Sequence, residues 1–246
     1  MPLKFSLTAL PALLTGALLL GATLAHASDE PEDVTLQPMK LSYNASLDKG
    51  ISLNGDARRS LEQRDDGTWR FRTDVDSFVA DIDESLIFRW EDNQVVPLRY
   101  RYKLSGLFIR DREEAIDFDW EKNVVSGHHE GDKFSMKLEK GAMDPMGYQL
   151  QLSQDIRAGK REMEYRVIDK GDYDTDRFAV VDEETVRING DDIRTLKAEK
   201  VRDSDSKRES LMWFAPERDY LLIRFLQVEP DGSEYELTIS DAKVGR

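Results

Sequence analysis

The chain contains no cysteine, only three histidines, and far fewer cations than anions: 35 Lys and Arg against 49 Asp and Glu. Without cysteine there is no thiolate nucleophile, no redox pair, no thiolate metal site and no disulfide. A lipid anchor attached through an N-terminal cysteine is excluded on the same ground. The formal net charge of −14 repels phosphate backbones and anionic headgroups, so nucleic acid is not an expected partner and no polybasic docking surface exists. Also missing are a Gly-x-Ser-x-Gly elbow, a phosphate-cradling glycine loop and a dinucleotide fingerprint.

Long apolar runs are scarce, and the one that stands out is at the start. Lys4 supplies a positive charge, Phe5 to Leu24 is almost wholly apolar, and Ala25-His26-Ala27 places small residues where a signal peptidase reads them. Pro11, Gly16 and Gly21 weaken the run as a permanent membrane helix. Residues 1–27 therefore read as a signal peptide cleaved after Ala27, which predicts a periplasmic protein starting at Ser28. Removing 27 of 246 residues leaves 219, enough to bury a core without disulfides. Residues 28–40 are polar, acidic and proline-bearing, and read as a flexible leader; 41–246 read as a single β-rich domain.

From Leu41 onward the dominant period is two. Trp69, Phe71, Thr73 and Val75 alternate with charged residues, as do Leu98, Tyr100, Tyr102 and Leu104, then Ile116, Phe118 and Trp120, then Met163, Tyr165 and Val167. Each run predicts a strand with one face in the core and one in water. Asp65-Asp66-Gly67, Glu91-Asp92-Asn93, Glu121-Lys122-Asn123, Asn189-Gly190 and Pro230-Asp231-Gly232 fall between runs and supply turn residues. The pattern predicts a mainly β fold: an antiparallel, strongly curved sheet or open barrel of ten or more strands. One helix is expected over Asp144–Ala158, capped by Asp144, with Pro145 in its first turn and Gly159 closing it. Leu211–Phe214 and Tyr220–Leu226 are apolar on both faces, which requires cover on both sides by a second layer, a helix or a bound apolar ligand, and the helix is the economical cover.

Several clusters bear on chemistry. Asp172, Asp174, Asp176 and Glu183 match four ligand positions of a calcium loop, but Arg177 stands where that loop needs glycine, so they read as an acidic surface loop. His128 and His129, beside Glu130-Gly131-Asp132, read as a solvated hairpin turn. The carboxylate pairs Asp81/Asp83, Asp117/Asp119, Glu162/Glu164 and Asp191/Asp192 lie on polar strand faces or in turns, where a glycosidase-like dyad is not expected. Asp117, Asp119 and Glu121 are instead expected to face Arg99, Arg101 and Lys103 across two strands. Arg224 interrupts an apolar run and needs a carboxylate or carbonyl partner, either the acidic group of a ligand or, as the favoured reading, an internal ion pair. No catalytic, cofactor-binding or metal residue is assigned, and no cofactor is expected.

Pro97-Leu98-Arg99-Tyr100, Phe118-Asp119, Asp144-Pro145-Met146 and Leu211-Met212-Trp213-Phe214-Ala215-Pro216 before Tyr220-Leu221 occur in an order that resembles domain of unknown function 3108, a family of exported bacterial envelope proteins. The resemblance runs from about Leu41 to the end of the chain. It implies a β-rich periplasmic protein and brings no activity or catalytic residues. The family usually has proline after the tyrosine-leucine step, where this chain has Leu222. The leading expectation is a non-enzymatic binding or envelope-assembly factor holding an apolar ligand or partner segment. The rivals are a carboxylate-dependent hydrolase acting on envelope glycans and a structural protein pairing through a sheet edge.

Overall fold

A computed structural model of the chain describes residues 34–48, 52–77, 80–107, 110–202 and 206–245. The expected signal peptide lies outside the described residues, as does the first part of the expected leader. Its last part is held in place: Leu36 is buried, Val34 N–H donates to Asn93 Oδ1 (2.7 Å), and Trp90 Nε1 donates to the Val34 carbonyl (2.7 Å). The segment expected to be flexible therefore becomes a strap against the sheet from Val34 onward.

The first eight strands are β1 (Met39–Asp48), β2 (Ser52–Gln63), β3 (Trp69–Ser77), β4 (Ala80–Glu91), β5 (Gln94–Gly106), β6 (Arg112–Asp119), β7 (Val124–His129) and β8 (Asp132–Lys137). The short β9 (Ala142–Met143) leads into the helix α1 (Gly147–Arg157). Then follow β10 (Glu162–Asp169), β11 (Asp172–Ile188), β12 (Asp191–Lys200), β13 (Glu209–Ala215), β14 (Leu221–Val228) and β15 (Glu234–Val244). All fifteen lie in one sheet, in the order 8-7-6-5-4-3-2-1-15-14-13-12-11-10-9. Every pair is antiparallel except β9 with β10.

This order dictates the curvature. β8 and β9 are the two edges of the sheet, yet only residues 138–141 separate them in sequence. Laid flat, fifteen strands at about 4.8 Å spacing would place those edges some 65 Å apart. The five residue steps from Lys137 to Ala142 reach at most about 18 Å. The sheet therefore has to curl almost into a barrel. Register shifts at Ser42/Tyr43, Ile87/Phe88, Val180/Asp182 and Trp213/Phe214 supply bulges, which bend a strand and increase its twist.

The curled sheet does not close by a ladder. Its seam is made of side chains and turns: the Tyr173 hydroxyl donates to the Lys137 carbonyl (3.0 Å) and accepts from Glu139 N–H (2.9 Å). Lys170 N–H donates to Glu114 Oε1 (2.7 Å), joining the β10–β11 turn to β6. At that turn Gly171 has φ +81°, and a Cβ there would meet Phe134 of β8 at 3.0 Å. Only glycine suits both conditions.

The alternating runs occupy the strands as the pattern predicts except at two residues, Leu98 at the β5 bulge and Trp120 in the turn after β6, and Asn189 and Gly190 take the paired positive φ values of a tight hairpin. The helix begins two to three residues later than expected, at Gly147, because Asp144 does its capping from outside: its Oδ1 accepts N–H of both Met146 and Gly147 (3.0 Å each). Met146 and Leu150 pack with Leu86, Phe88 and Ile116, while Leu152 and Ile156 pack with Phe178, Met212 and Phe214.

The doubly apolar β13 is covered as its composition demands, but by two different partners. Met212 and Phe214 join the helix side. Leu211, Trp213 and Ala215 alternate with them and pack with Tyr43, Ala57, Ile188, Ile193 and Ile239. The helix supplies one of the two covers, and the curled sheet supplies the other as a second layer, with Asn189 Nδ2 reaching the Ser240 carbonyl (3.2 Å).

Candidate functional site

Strap, strands and helix leave a hollow between them. It has a volume of about 310 Å³ and lies among Leu36 of the strap, Leu41 of β1, Leu61 of β2, Leu150 of α1, Phe214 of β13 and Leu222 of β14. These side chains point there because β1 and β2 alternate inward and because α1 presents Leu150 on its buried side. A hollow of this size at the low end of the small-ligand range is apolar in most of its wall.

Its polar groups are few and placed. The Tyr43 hydroxyl donates to the Leu222 carbonyl (2.8 Å), and burial pushes its pKa up to about 12. Arg59 Nη2 donates to Gln149 Oε1 (2.8 Å) and Arg59 Nε to Thr73 Oγ1 (3.0 Å), with the guanidinium 5.3 Å from the centre of the Phe71 ring. Gln154 Oε1, also in the wall, is buried with no hydrogen-bond partner. Arg157, in the last turn of α1, and Asp219 stand exposed at the rim.

Arg59 also begins a row of polar residues paired across six strands: Arg59 with Thr73, Thr73 with Glu84, Glu84 with Tyr102, Tyr102 with Glu114, and Glu114 with His129. Glu84 accepts from the Tyr100 hydroxyl (2.7 Å), and burial raises its pKa despite that bond. Glu114 is raised by burial and then by Asp169, while Lys170 N–H and His129 oppose the shift. Asp144 stands at the helix start, fully buried, with Oδ2 lacking any hydrogen-bond partner. Burial outweighs its two backbone donors and raises its pKa to about 7, with Glu84 adding to the shift.

Neither Glu84 nor Glu114 is singled out by the sequence pattern, which marks Asp144 only as the helix cap. The signal was present: Glu84 interrupts Ile82, Leu86 and Phe88 in the inward phase of β4, as Glu114 precedes Ile116 and Phe118 in β6. A polar residue in an apolar phase marks a buried polar group.

The clusters noticed in sequence lie elsewhere. Asp172, Asp174 and Asp176 sit on the extended β11 and not in a loop; Asp176 is buried against Lys200 Nζ (2.6 Å), and Glu183 pairs with Arg194 (2.9 Å). Seven strand residues put Glu183 about 23 Å from Asp176, too far for shared coordination. His128 and His129 end β7 and are not the turn, which falls at Glu130-Gly131; His129 Nδ1 faces Glu114 at 3.6 Å.

The surface carboxylates pair with cations. Asp83 meets Arg72, Asp117 meets both Arg99 (3.4 Å) and Arg101 (2.9 Å), Glu164 meets Arg177 (2.8 Å), and Asp191 and Asp192 meet Arg218 and Arg187. The expected ladder of acidic against basic stripes is thus realised at Asp117. Asp119 turns to Lys122 instead (2.8 Å), which lowers the Asp119 pKa. Arg224 has the acidic partner its position requires, Glu236 (2.5 Å), and lies 4.5 Å over the Trp213 ring.

The sequence model of the family described as protein of unknown function (DUF3108) matches residues 40–240. No curated protein matches the chain. Among solved structures, a beta-barrel-like protein of domain of unknown function DUF1849 from Brucella abortus superposes with a TM-score of 0.58 at 11% identity, covering 87% of this chain and 100% of that one. That likeness is one of fold. A putative outer membrane lipoprotein-sorting protein domain from Vibrio parahaemolyticus aligns at 12% identity over 86% of this chain and 87% of its own, with a TM-score of 0.23, too low to argue from.

Proposed function

The chain belongs to the DUF3108 family of proteins of unknown function, and from that premise we propose that it is an exported, periplasmic, non-enzymatic binding or envelope-assembly factor that holds an apolar chain in the hollow beside α1. The observation that carries this reading is the 310 Å³ hollow itself, walled by Leu36, Leu41, Leu61, Leu150 and Phe214 between strap, sheet and helix. An apolar wall with a few fixed polar groups is the general form of a ligand site. The signal-like residues 1–27 support the address.

The hydrolase reading has less behind it. Glu84, Glu114 and Asp144 are interior carboxylates with raised pKa values, but each accepts hydrogen bonds from its own wall and none of the three lines the hollow.

Native mass spectrometry of protein purified from its own periplasm tests the proposal. The expected result is a co-purifying apolar small molecule, released when the fold is denatured, on a chain whose N-terminus is Ser28. A protein recovered from the cytoplasm with Met1 intact would overturn the location. A ligand-free mass that extracted envelope lipids leave unchanged would overturn the binding role.

A further inference from the structure

We propose that the hollow takes a single-chain amphiphile with an anionic head, and that Arg59 holds the head. This rests on the reading of the hollow as an apolar binding site and names the chemical class it selects.

The starting point is the company Arg59 keeps. A guanidinium is permanently charged, and one drawn into a half-buried wall ordinarily meets a carboxylate. Arg59 is half-buried, yet among the described residues no carboxylate lies within ion-pairing distance of it, and its hydrogen-bond partners, Thr73 and Gln149, are both neutral. A guanidinium has five N–H donors; one at Nε and one at Nη2 are engaged, which leaves three unassigned. The side chain is held rigidly by those two bonds and by the Phe71 ring beneath it. It is an oriented cation with no carboxylate in contact, in the wall of an apolar hollow; Glu84, two strands away on the same row, is an acidic group that its charge reaches.

Two further features point the same way. The hollow's other charged groups are Arg157 and Asp219, so its lining is net positive in a chain whose formal charge is −14. An anion is therefore attracted to this point against the overall field. Gln154 Oε1, buried without a donor, stands in the same wall and suits a head that also carries a hydroxyl or N–H.

Size limits the chain. At roughly 30 Å³ per non-hydrogen atom, the volume a water molecule takes in the liquid, 310 Å³ holds about ten such atoms. A decyl chain is the matching probe. Its source is either a free fatty acid or a lipid whose glycerophosphate presents the same anionic oxygens.

Isothermal titration calorimetry of the mature chain, with each probe below its micelle concentration, compares decanoate with 1-decanol. The two share a chain length and differ in head charge. Decanoate is expected to bind at least about tenfold more tightly, the measure of one hydrogen-bonded charge. Arg59→Gln is expected to erase that difference, and Arg59→Lys to keep part of it. Equal affinity of the wild type for both probes would overturn the anionic-head assignment and leave the apolar site standing. Failure of both probes would overturn the site itself. Because the wild-type comparison needs no variant, a misfolded Arg59→Gln protein does not spare the proposal. Competition by decanoyl lysophosphatidylglycerol identifies a lipid source, and its failure to displace decanoate identifies the free acid; both uphold the anionic head.

Discussion

Arg59 Nη2 and Gln149 Oε1 meet at 2.8 Å, tying the middle of β2 to α1 from residues 90 apart in sequence. The bond does two things at once. It holds the helix in the curled sheet, and it holds the guanidinium in the wall of the hollow. Replacing Gln149 with Leu keeps similar bulk but removes the acceptor. The expected cost is about 1.5–3 kcal/mol, as for hydrogen bonds to charged groups. Urea unfolding should show a lower midpoint at unchanged slope; an unchanged midpoint would mean that the bond does not fasten the helix.

Gln151 should matter more. Its side chain is almost wholly buried, Oε1 accepts the Val95 N–H (2.9 Å), and Nε2 donates to the Asn93 carbonyl (3.1 Å) and to Asp155 (3.2 Å). Gln151→Leu strands the buried Val95 N–H in the β4–β5 hairpin and takes a donor from the buried Asp155. Each stranded group costs about 1–3 kcal/mol. Thermal unfolding is the check, with a larger loss expected here than for Gln149→Leu.

Asp144 gives stability a defined pH dependence. Its folded pKa is about 7 against an ordinary 3.8, so between those values the folded chain keeps a proton that the unfolded chain has released. The stabilisation is full below pH 3.8, falls as pH rises through the window, and is gone above about 7. The loss is on the order of 4 kcal/mol if this carboxyl acts alone. Asp144→Asn retains the acceptor for the Met146 and Gly147 N–H groups and cannot ionise. Unfolding free energies at pH 5 and pH 8 should therefore differ less in the variant than in the wild type. Glu84 and Glu114, both raised, contribute with the same sign and remain in both proteins.

Gly171 tests the seam. Any side chain there meets an unfavourable φ of +81° and crowds Phe134. Gly171→Ala is expected to cost about 1–3 kcal/mol of backbone strain and repacking. Hydrogen exchange should locate the effect: amides of β8 and of the β10–β11 turn should lose protection while those of the central β1 and β15 keep theirs. Uniform loss across the sheet would show that the seam is not a separate unit.

Strand phase and turns were legible because they are local. Trp69-Phe71-Thr73 and Ile116-Phe118 declare their inward face by alternation, and Asn189-Gly190 declares a hairpin by what its backbone tolerates. The helix start was legible for the same reason, although Asp144 proved to cap from outside the helical turns. His128 and His129 were misread because strand and turn compositions overlap at a hairpin end. Asp172, Asp174 and Asp176 looked like a loop only because alternating carboxylates match two patterns.

By itself, the sequence determined an antiparallel β chain with one helix, in a family of unknown function, with thiol chemistry excluded by the absence of cysteine. Each of these follows from composition or from residues within a few positions of one another. Only the tertiary structure decided that β8 and β9 are edges drawn together, that Glu84 and Glu114 face inward on one row, and that Arg59 stands without a carboxylate beside an apolar hollow. Those facts depend on which distant strands pair and how sharply the sheet curls. Curvature is a property of the whole ladder, so no single segment of the sequence displays it.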